Sequence, residues 1–286
     1  MKIKTQTAML MLVVTSTLWS LGGLFIKLIP WNPLVIAGWR SAIATVIFLV
    51  FIKTKGFRLK LDRRIVFSGL MLCLTMLFFV AANKLTTSAN AIIIQSTAPV
   101  HIVIISMIFF KQRYSRREYI VVFVTLVGIS LFFLDKLSPG GRLGNIIALL
   151  SGITFAFMYV YTNKLPDESS ALSAMLLGNV LTAMIGIPFS FLLPTEIDSQ
   201  AVLSIVILGV FQLGIPYILY GLAIRNCLPL YGSLIGLLEP IFNPLWVFLF
   251  VGERPGLYSI IGGTIVLVTV GTWCGVNAVR REKQRQ

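Results

Sequence analysis

The sequence predicts an all-α polytopic membrane protein, with ten transmembrane helices arranged as two inverted five-helix repeats. Three observations predict it. Of 286 residues, 57% are hydrophobic and only 12% charged, with a mean hydropathy of +0.91; soluble domains run at about 45–50% apolar and about 25% charged. Ten apolar runs, each near the ~20 residues that a bilayer-crossing helix needs, take up most of the chain. Lysine and arginine collect in alternate gaps between those runs. So little polar material cannot cover a water-facing surface, which excludes a soluble enzyme, a secreted disulfide module and a disordered chain.

The first run, residues 6–28, follows Met1-Lys2-Ile3-Lys4 in the manner of a signal peptide. It is too long for such a segment and lacks a small-residue cleavage site before Trp31-Asn32-Pro33, so it reads as a retained first span. Further runs lie at 33–53, 65–83, 89–111 and 117–135, then at 143–163, 171–193, 200–223, 229–251 and 256–278. The longest polar gap, Lys53 to Arg64, leaves no room for a separate soluble domain. With the N-terminus inside, 18 basic residues fall in cytoplasmic segments and five outside (Lys27, Lys84, Lys136, Arg142, Arg254). That bias predicts both termini cytoplasmic and a multi-pass protein of the bacterial inner membrane. The net charge of +14 therefore reads as loops against anionic headgroups, not as a nucleic-acid surface. Cys73, Cys227 and Cys274 fit neither a disulfide framework nor a metal motif.

A displacement of 141 positions brings Ala82 onto Ala223, Pro99 onto Pro240, Phe109 onto Phe250 and Arg113 onto Arg254, with Lys84 opposite Arg225. The expected units are an N-terminal repeat, 1–138, and a C-terminal repeat, 139–286. Five helices per repeat force the second copy to enter the membrane inverted. Two similar halves of opposite topology can exchange conformations around a central site, which points to a transporter.

Several short motifs carry a family likeness. The second span opens Asn32-Pro33 and reaches Arg40; the fourth holds Ser96-Thr97-Ala98-Pro99; the ninth holds Leu238-Glu239-Pro240 and ends Gly252-Glu253-Arg254. Together with the five-plus-five pattern, these resemble the EamA-type branch of the drug/metabolite transporter superfamily over essentially the whole chain. Lys111-Gln112-Arg113 departs from it, since the first repeat usually carries an acidic residue there. The resemblance implies a secondary carrier for small metabolites, often an exporter of amino acids. It also implies a cavity between spans 1, 3, 4, 6, 8 and 9, which makes Trp19, Phe79, Gln95, Tyr159, Tyr217 and Tyr220 candidate lining residues.

Nine of the ten carboxylates lie in loops, at span ends or in the tail. Glu239 lies mid-span, where an exposed carboxylate costs about 2.5–3.5 kcal/mol, so it should face a polar interior. Gly232, Gly236, Glu239 and Asn243 share one helical face. Glu239 is expected to meet a substrate ammonium or a coupling proton, or else to organise the kink at Pro240. Asn243 and Gln95 would supply hydrogen bonds. His101, the single histidine, could carry a proton or bind a carboxylate, or simply bond a neighbouring helix. Arg40 could hold a substrate carboxylate or reach the headgroups, and the aromatic rings suit an organic ammonium.

No cofactor or metal site is expected, because one histidine and one buried carboxylate cannot build a metal cage. No Gly-x-Ser-x-Gly, His-Glu-x-x-His or phosphate-loop motif argues for an enzyme. The expected function is secondary export of an amino acid or related zwitterion. An organic cation or drug exporter, or a nucleoside- or sugar-type carrier, is the alternative. Expected partners are the small-molecule substrate and membrane lipids, with a coupling proton left open and the chain a monomer or weak dimer.

Overall fold

A computed structural model describes residues 4–132, 134, 141–193, 195, 197–242 and 256–283. Every regular element among them is helical. Seven helical stretches are long and apolar enough to cross a membrane: Thr5–Ile26, Pro33–Lys55, Arg63–Leu85, Asn90–Phe110, Arg142–Asn163, Glu168–Phe191 and Ser199–Asn226. They match the predicted spans 1 to 4 and 6 to 8. At spans 5, 9 and 10 the described apolar helix is shorter, as Arg116–Phe132, Pro229–Phe242 and Ile260–Trp273. Asn243 and the Gly252-Glu253-Arg254 motif lie outside the described residues.

The helices are α1 (Thr5–Trp19), α2 (Gly22–Leu28), α3 (Pro33–Lys55), α4 (Arg63–Leu85), α5 (Ser88–Gln95), α6 (Ala98–Phe110) and α7 (Arg116–Phe132). Then come α8 (Arg142–Asn163), α9 (Glu168–Gly186), α10 (Ser199–Ile207), α11 (Ile215–Ala223), α12 (Pro229–Gly236) and α13 (Leu257–Lys283). Their starts follow from capping chemistry. Asn32 accepts from the Leu34 amide at 3.0 Å, with Pro33 pre-set at the first helical position. Asp62 accepts from the Arg64 and Ile65 amides at 2.8 and 2.9 Å, and Asp198 from Ala201 at 2.5 Å. Glu118 and Ser115 form a reciprocal box, the Ser115 amide reaching the carboxylate at 2.5 Å and the Glu118 amide the hydroxyl at 3.4 Å. Several of the acidic residues are thus spent on helix ends. Gly56 ends α3 with φ +68°, a left-handed conformation that favours glycine.

The predicted spans are not continuous rods. The fourth breaks between α5 and α6, and the ninth at Leu237–Leu238. Pro99 and Pro240 lack the amide that would close an i→i−4 bond, so each chain tightens into a single 3₁₀-like turn. The two breaks share their hydrogen bonds at a displacement of 141. Ser96 N→Ile92 O, Thr97 N→Ile94 O and Val100 N→Thr97 O correspond to Leu237 N→Ser233 O, Leu238 N→Ile235 O and Ile241 N→Leu238 O. The eighth span holds a π-helical segment, Leu208–Gly214, between α10 and α11.

Small and polar residues join the helices, as packing within lipid requires. Along α4 and α8, Ser68 meets Thr162 at 2.6 Å, Thr75 meets Thr154 at 2.9 Å and Thr86 meets Asn145 at 2.9 Å. The helices therefore run antiparallel. On the face where α4 begins and α8 ends, Lys60 pairs with Asp167. Asn163 there donates to Ile224 O and Cys227 O at 2.6 and 2.7 Å, and Arg225 to Leu165 O at 2.7 Å. This is the basic face. On the opposite face Lys84 donates to Ile29 O at 2.7 Å, and the Trp39 indole to Ser190 at 2.9 Å.

Candidate substrate cavity

The helix breaks, the π segment and α3 meet around a narrow central cavity of about 30 Å³. Arg40, on α3, is 1% exposed. Its Nη1 donates to Gln212 Oε1 at 3.0 Å, and among the described residues its Nε has no partner. Gln212 arrives there because the π segment packs directly on α3: a Cβ added to Gly209 would stand 2.5 Å from Ile43 Cβ and 3.0 Å from Arg40 O. Glu239 enters from the ninth-span break. Among the described residues its carboxylate has no hydrogen-bond donor, and the ion pair present there is Lys60–Asp167, not one with Arg40. A guanidinium and a carboxyl group thus line one cavity without forming an ion pair with each other.

Aromatic rings close the cavity toward the basic face. Trp19 stands 5.0 Å from Tyr217 and 5.7 Å from Phe155, centroid to centroid. Behind them Tyr159 lies 4.8 Å from Phe155 and 5.0 Å from Tyr220. Among the described residues the Trp19 Nε1 has no partner, so it adds a donor to the cavity that Arg40 also lines. Gln95, at the end of α5, donates to Ser151 Oγ at 2.8 Å, and Ser151 passes its own proton to Thr75 O at 3.2 Å. The wall at Met76 is softer: its sulfur accepts from Ser41 at 3.6 Å and Thr182 at 3.8 Å.

Six of the expected residues therefore line this cavity: Trp19, Arg40, Phe79, Gln95, Tyr217 and Glu239. Tyr159 and Tyr220 are fully buried in the second layer of rings. His101, on α6, is half-buried, has an Nδ1 without a partner among the described residues, and lines neither this cavity nor the neighbouring one that Glu239 also borders. Asn243 is outside the described residues. Thr75, Met76, Phe155, Gln212 and Leu213 were not expected there. A helical wheel puts Gln212 with Pro216 and Tyr220, but π geometry aligns residues five apart, so Gln212 shares the cavity with Tyr217.

The sequence profile of the EamA-like transporter family matches residues 6–134 and, a second time, residues 142–273. The chain belongs to that family. It is a multi-pass membrane transporter of the drug/metabolite transporter superfamily, not an enzyme. Two relatives from Archaeoglobus fulgidus, each described as an uncharacterized transporter, resemble this EamA-like protein. One is 22% identical over 278 residues, 91% of this chain and 95% of the relative. The other is 24% identical over 211 residues, 73% and 75% of the two chains. A crystal structure of another protein shares the fold with a TM-score of 0.78 at 18% identity, covering 93% of this chain and 96% of that one.

Proposed function

We propose that this EamA-like transporter exports a small zwitterion, an amino acid or a close relative, by alternating access of two inverted five-helix repeats, 1–138 and 139–286. The observation that carries the reading is the unpaired Arg40 and Glu239 in one cavity. A substrate carboxylate takes the guanidinium and the Trp19 indole N–H; its ammonium takes Glu239, with Gln95 beside it. Charge-assisted bonds of this kind are the strong ones in a dry site. Gln212 positions Arg40, and the rings of Trp19, Phe155 and Tyr217 wall off the basic face.

The consecutive profile matches and the three hydrogen bonds repeated at a displacement of 141 support the two-repeat architecture. The concentration of lysine and arginine on the basic face supports placing that face in the cytoplasm, with both termini.

The test is thermal stabilisation of the purified protein by zwitterions, organic cations, anions and neutral solutes. A ligand stabilises by about RT ln(1 + [L]/Kd), so millimolar binders register in excess. Zwitterions should stabilise the wild type and lose their effect in both Glu239→Gln and Arg40→Gln. The aromatic lining favours a second reading, an organic cation; that ligand would ignore Arg40→Gln and fail with Glu239→Gln. Stabilisation by neutral solutes alone, indifferent to both variants, defeats both readings.

A further inference from the structure

A second cavity, of about 20 Å³, adjoins the first and shares Gln95, Phe155 and Glu239 with it. It lies between the two helix breaks, with Pro99 and Pro240 in its walls. Its remaining polar lining is Ser96 and Ser233, 8% and 4% exposed. A proton count gives the chemistry. Ser96 Oγ donates its one hydrogen to Ile92 O at 2.7 Å, and Ser233 Oγ donates its own to Leu230 O at 3.0 Å. Each hydroxyl therefore has only lone pairs left for the cavity. Ser151 has given its hydrogen to Thr75 O, so it can only accept from Gln95. The Gln95 Nε2 is thus fixed on Ser151, and its Oε1 is left as a free acceptor. The fourth group is the Glu239 carboxylate.

We propose that this second cavity binds a dehydrated monovalent metal cation of the sodium class, with Glu239, Ser96 Oγ, Ser233 Oγ and Gln95 Oε1 as oxygen ligands. Four acceptor oxygen groups, one of them a carboxyl that releases its proton as the cation enters, match one unit of positive charge. Hard oxygen ligands suit an alkali cation, and the described residues contain no group of three His, Cys, Asp or Glu side chains that could hold a metal ion such as zinc. Broken helices at mid-membrane are where transporters expose oxygens to coupling ions. The central cavity differs in kind, since Arg40 and Trp19 bring donors to it. The proposal rests on the zwitterion reading only through Glu239.

The experiment is thermal unfolding without substrate in sodium, potassium or choline chloride at equal ionic strength. Sodium should raise the Tm of the wild type saturably over choline. Ser96→Ala and Ser233→Ala should each shift the half-maximal sodium concentration by about tenfold, the effect of one lost ligand. Both serine variants should keep the choline Tm and, in choline, the stabilisation by zwitterions. Glu239→Gln should lose both responses. Radioactive sodium binding to the wild type gives a measurement independent of any variant, with one ion per chain expected. The proposal is overturned by superimposable sodium and choline curves, by a sodium effect that ignores both serines, by a response to pH alone, or by no bound sodium. If zwitterions still act through Arg40 in choline, the substrate reading survives that failure.

Discussion

Gly38→Ala tests whether α3 and α9 meet backbone to backbone. A Cβ on Gly38 would stand 2.6 Å from the Gly186 carbonyl carbon, 2.6 Å from the Ile187 nitrogen and 2.8 Å from Gly186 Cα. Non-bonded carbon pairs prefer about 3.5–4.0 Å, so the helices must part by about 1 Å. All three obstructing atoms are backbone, so no rotamer change relieves them. Overpacking of this kind costs about 1–3 kcal/mol, here toward the upper end. The better helix propensity of alanine returns about 1 kcal/mol, leaving a net loss of about 2 kcal/mol. Gly271→Ala is the internal reference, because nothing stands within 4 Å of a Cβ there and only the propensity gain applies. The two variants should differ by about 3 kcal/mol. At about 2–4 °C per kcal/mol that is about 6–12 °C in Tm, read by intrinsic fluorescence in detergent. Gly186→Ala should cost a similar amount, and the double variant less than the sum, since one separation relieves both clashes. A Gly38→Ala protein melting within about 1 °C of Gly271→Ala would refute the reasoning.

Three further outcomes follow from the helix ends. The Lys60 ammonium, donating to Asp167, holds that carboxyl below the usual carboxylate range, helped by the Ser170 amide. A lowered carboxyl pKa stabilises the fold above the unfolded value of about 3.9, and the contribution is lost as pH falls through the lower folded value. Both side chains are more than 40% exposed, so after screening the pair contributes under about 1 kcal/mol. Asp167→Asn, which keeps the cap on Ser170, should flatten the acid limb of a Tm–pH curve and cost little at neutral pH. Asn163→Ala removes two bonds to backbone carbonyls, at about 1–3 kcal/mol, and should make the buried Cys227 thiol reactive to maleimide on the timescale of labelling. Glu118→Ala should lower stability by about 1 kcal/mol through the lost capping box, with Ser115→Ala adding little more. Chemical or thermal unfolding of the single and double variants checks it.

The parts legible in the sequence were those set by local chemistry. Asn32-Pro33 opened a predicted span, and Pro240 marked a kinked helix before the break was seen. Glu239, Arg40 and Gln95 stood out because a polar side chain at membrane depth needs a polar surrounding. What stayed hidden depends on partners far away in the chain. The π segment forms where Gly209 and Gly214 lie against Ile43 and Ile47 of α3, and composition gives no sign of that register. A wheel drawn at 3.6 residues per turn therefore puts Gln212 on one face with Tyr220, with Tyr217 only adjacent. Phe155 carries no signal at all, being one phenylalanine among 20. The roles of Ser96 and Ser233 depend on where each hydroxyl sends its proton, which only coordinates reveal.

Glu239 stands in the wall between two chambers, and a carboxylate can balance one positive charge at a time. A cation arriving on one side meets a wall already neutralised by a cation on the other, and in a medium that screens poorly the second pays a like-charge penalty. On the proposed assignments, the two chambers would exclude each other's cations through one shared carboxyl, which lines both. With both sites as proposed, the shared carboxyl favours exchange of one cation for one by electrostatics.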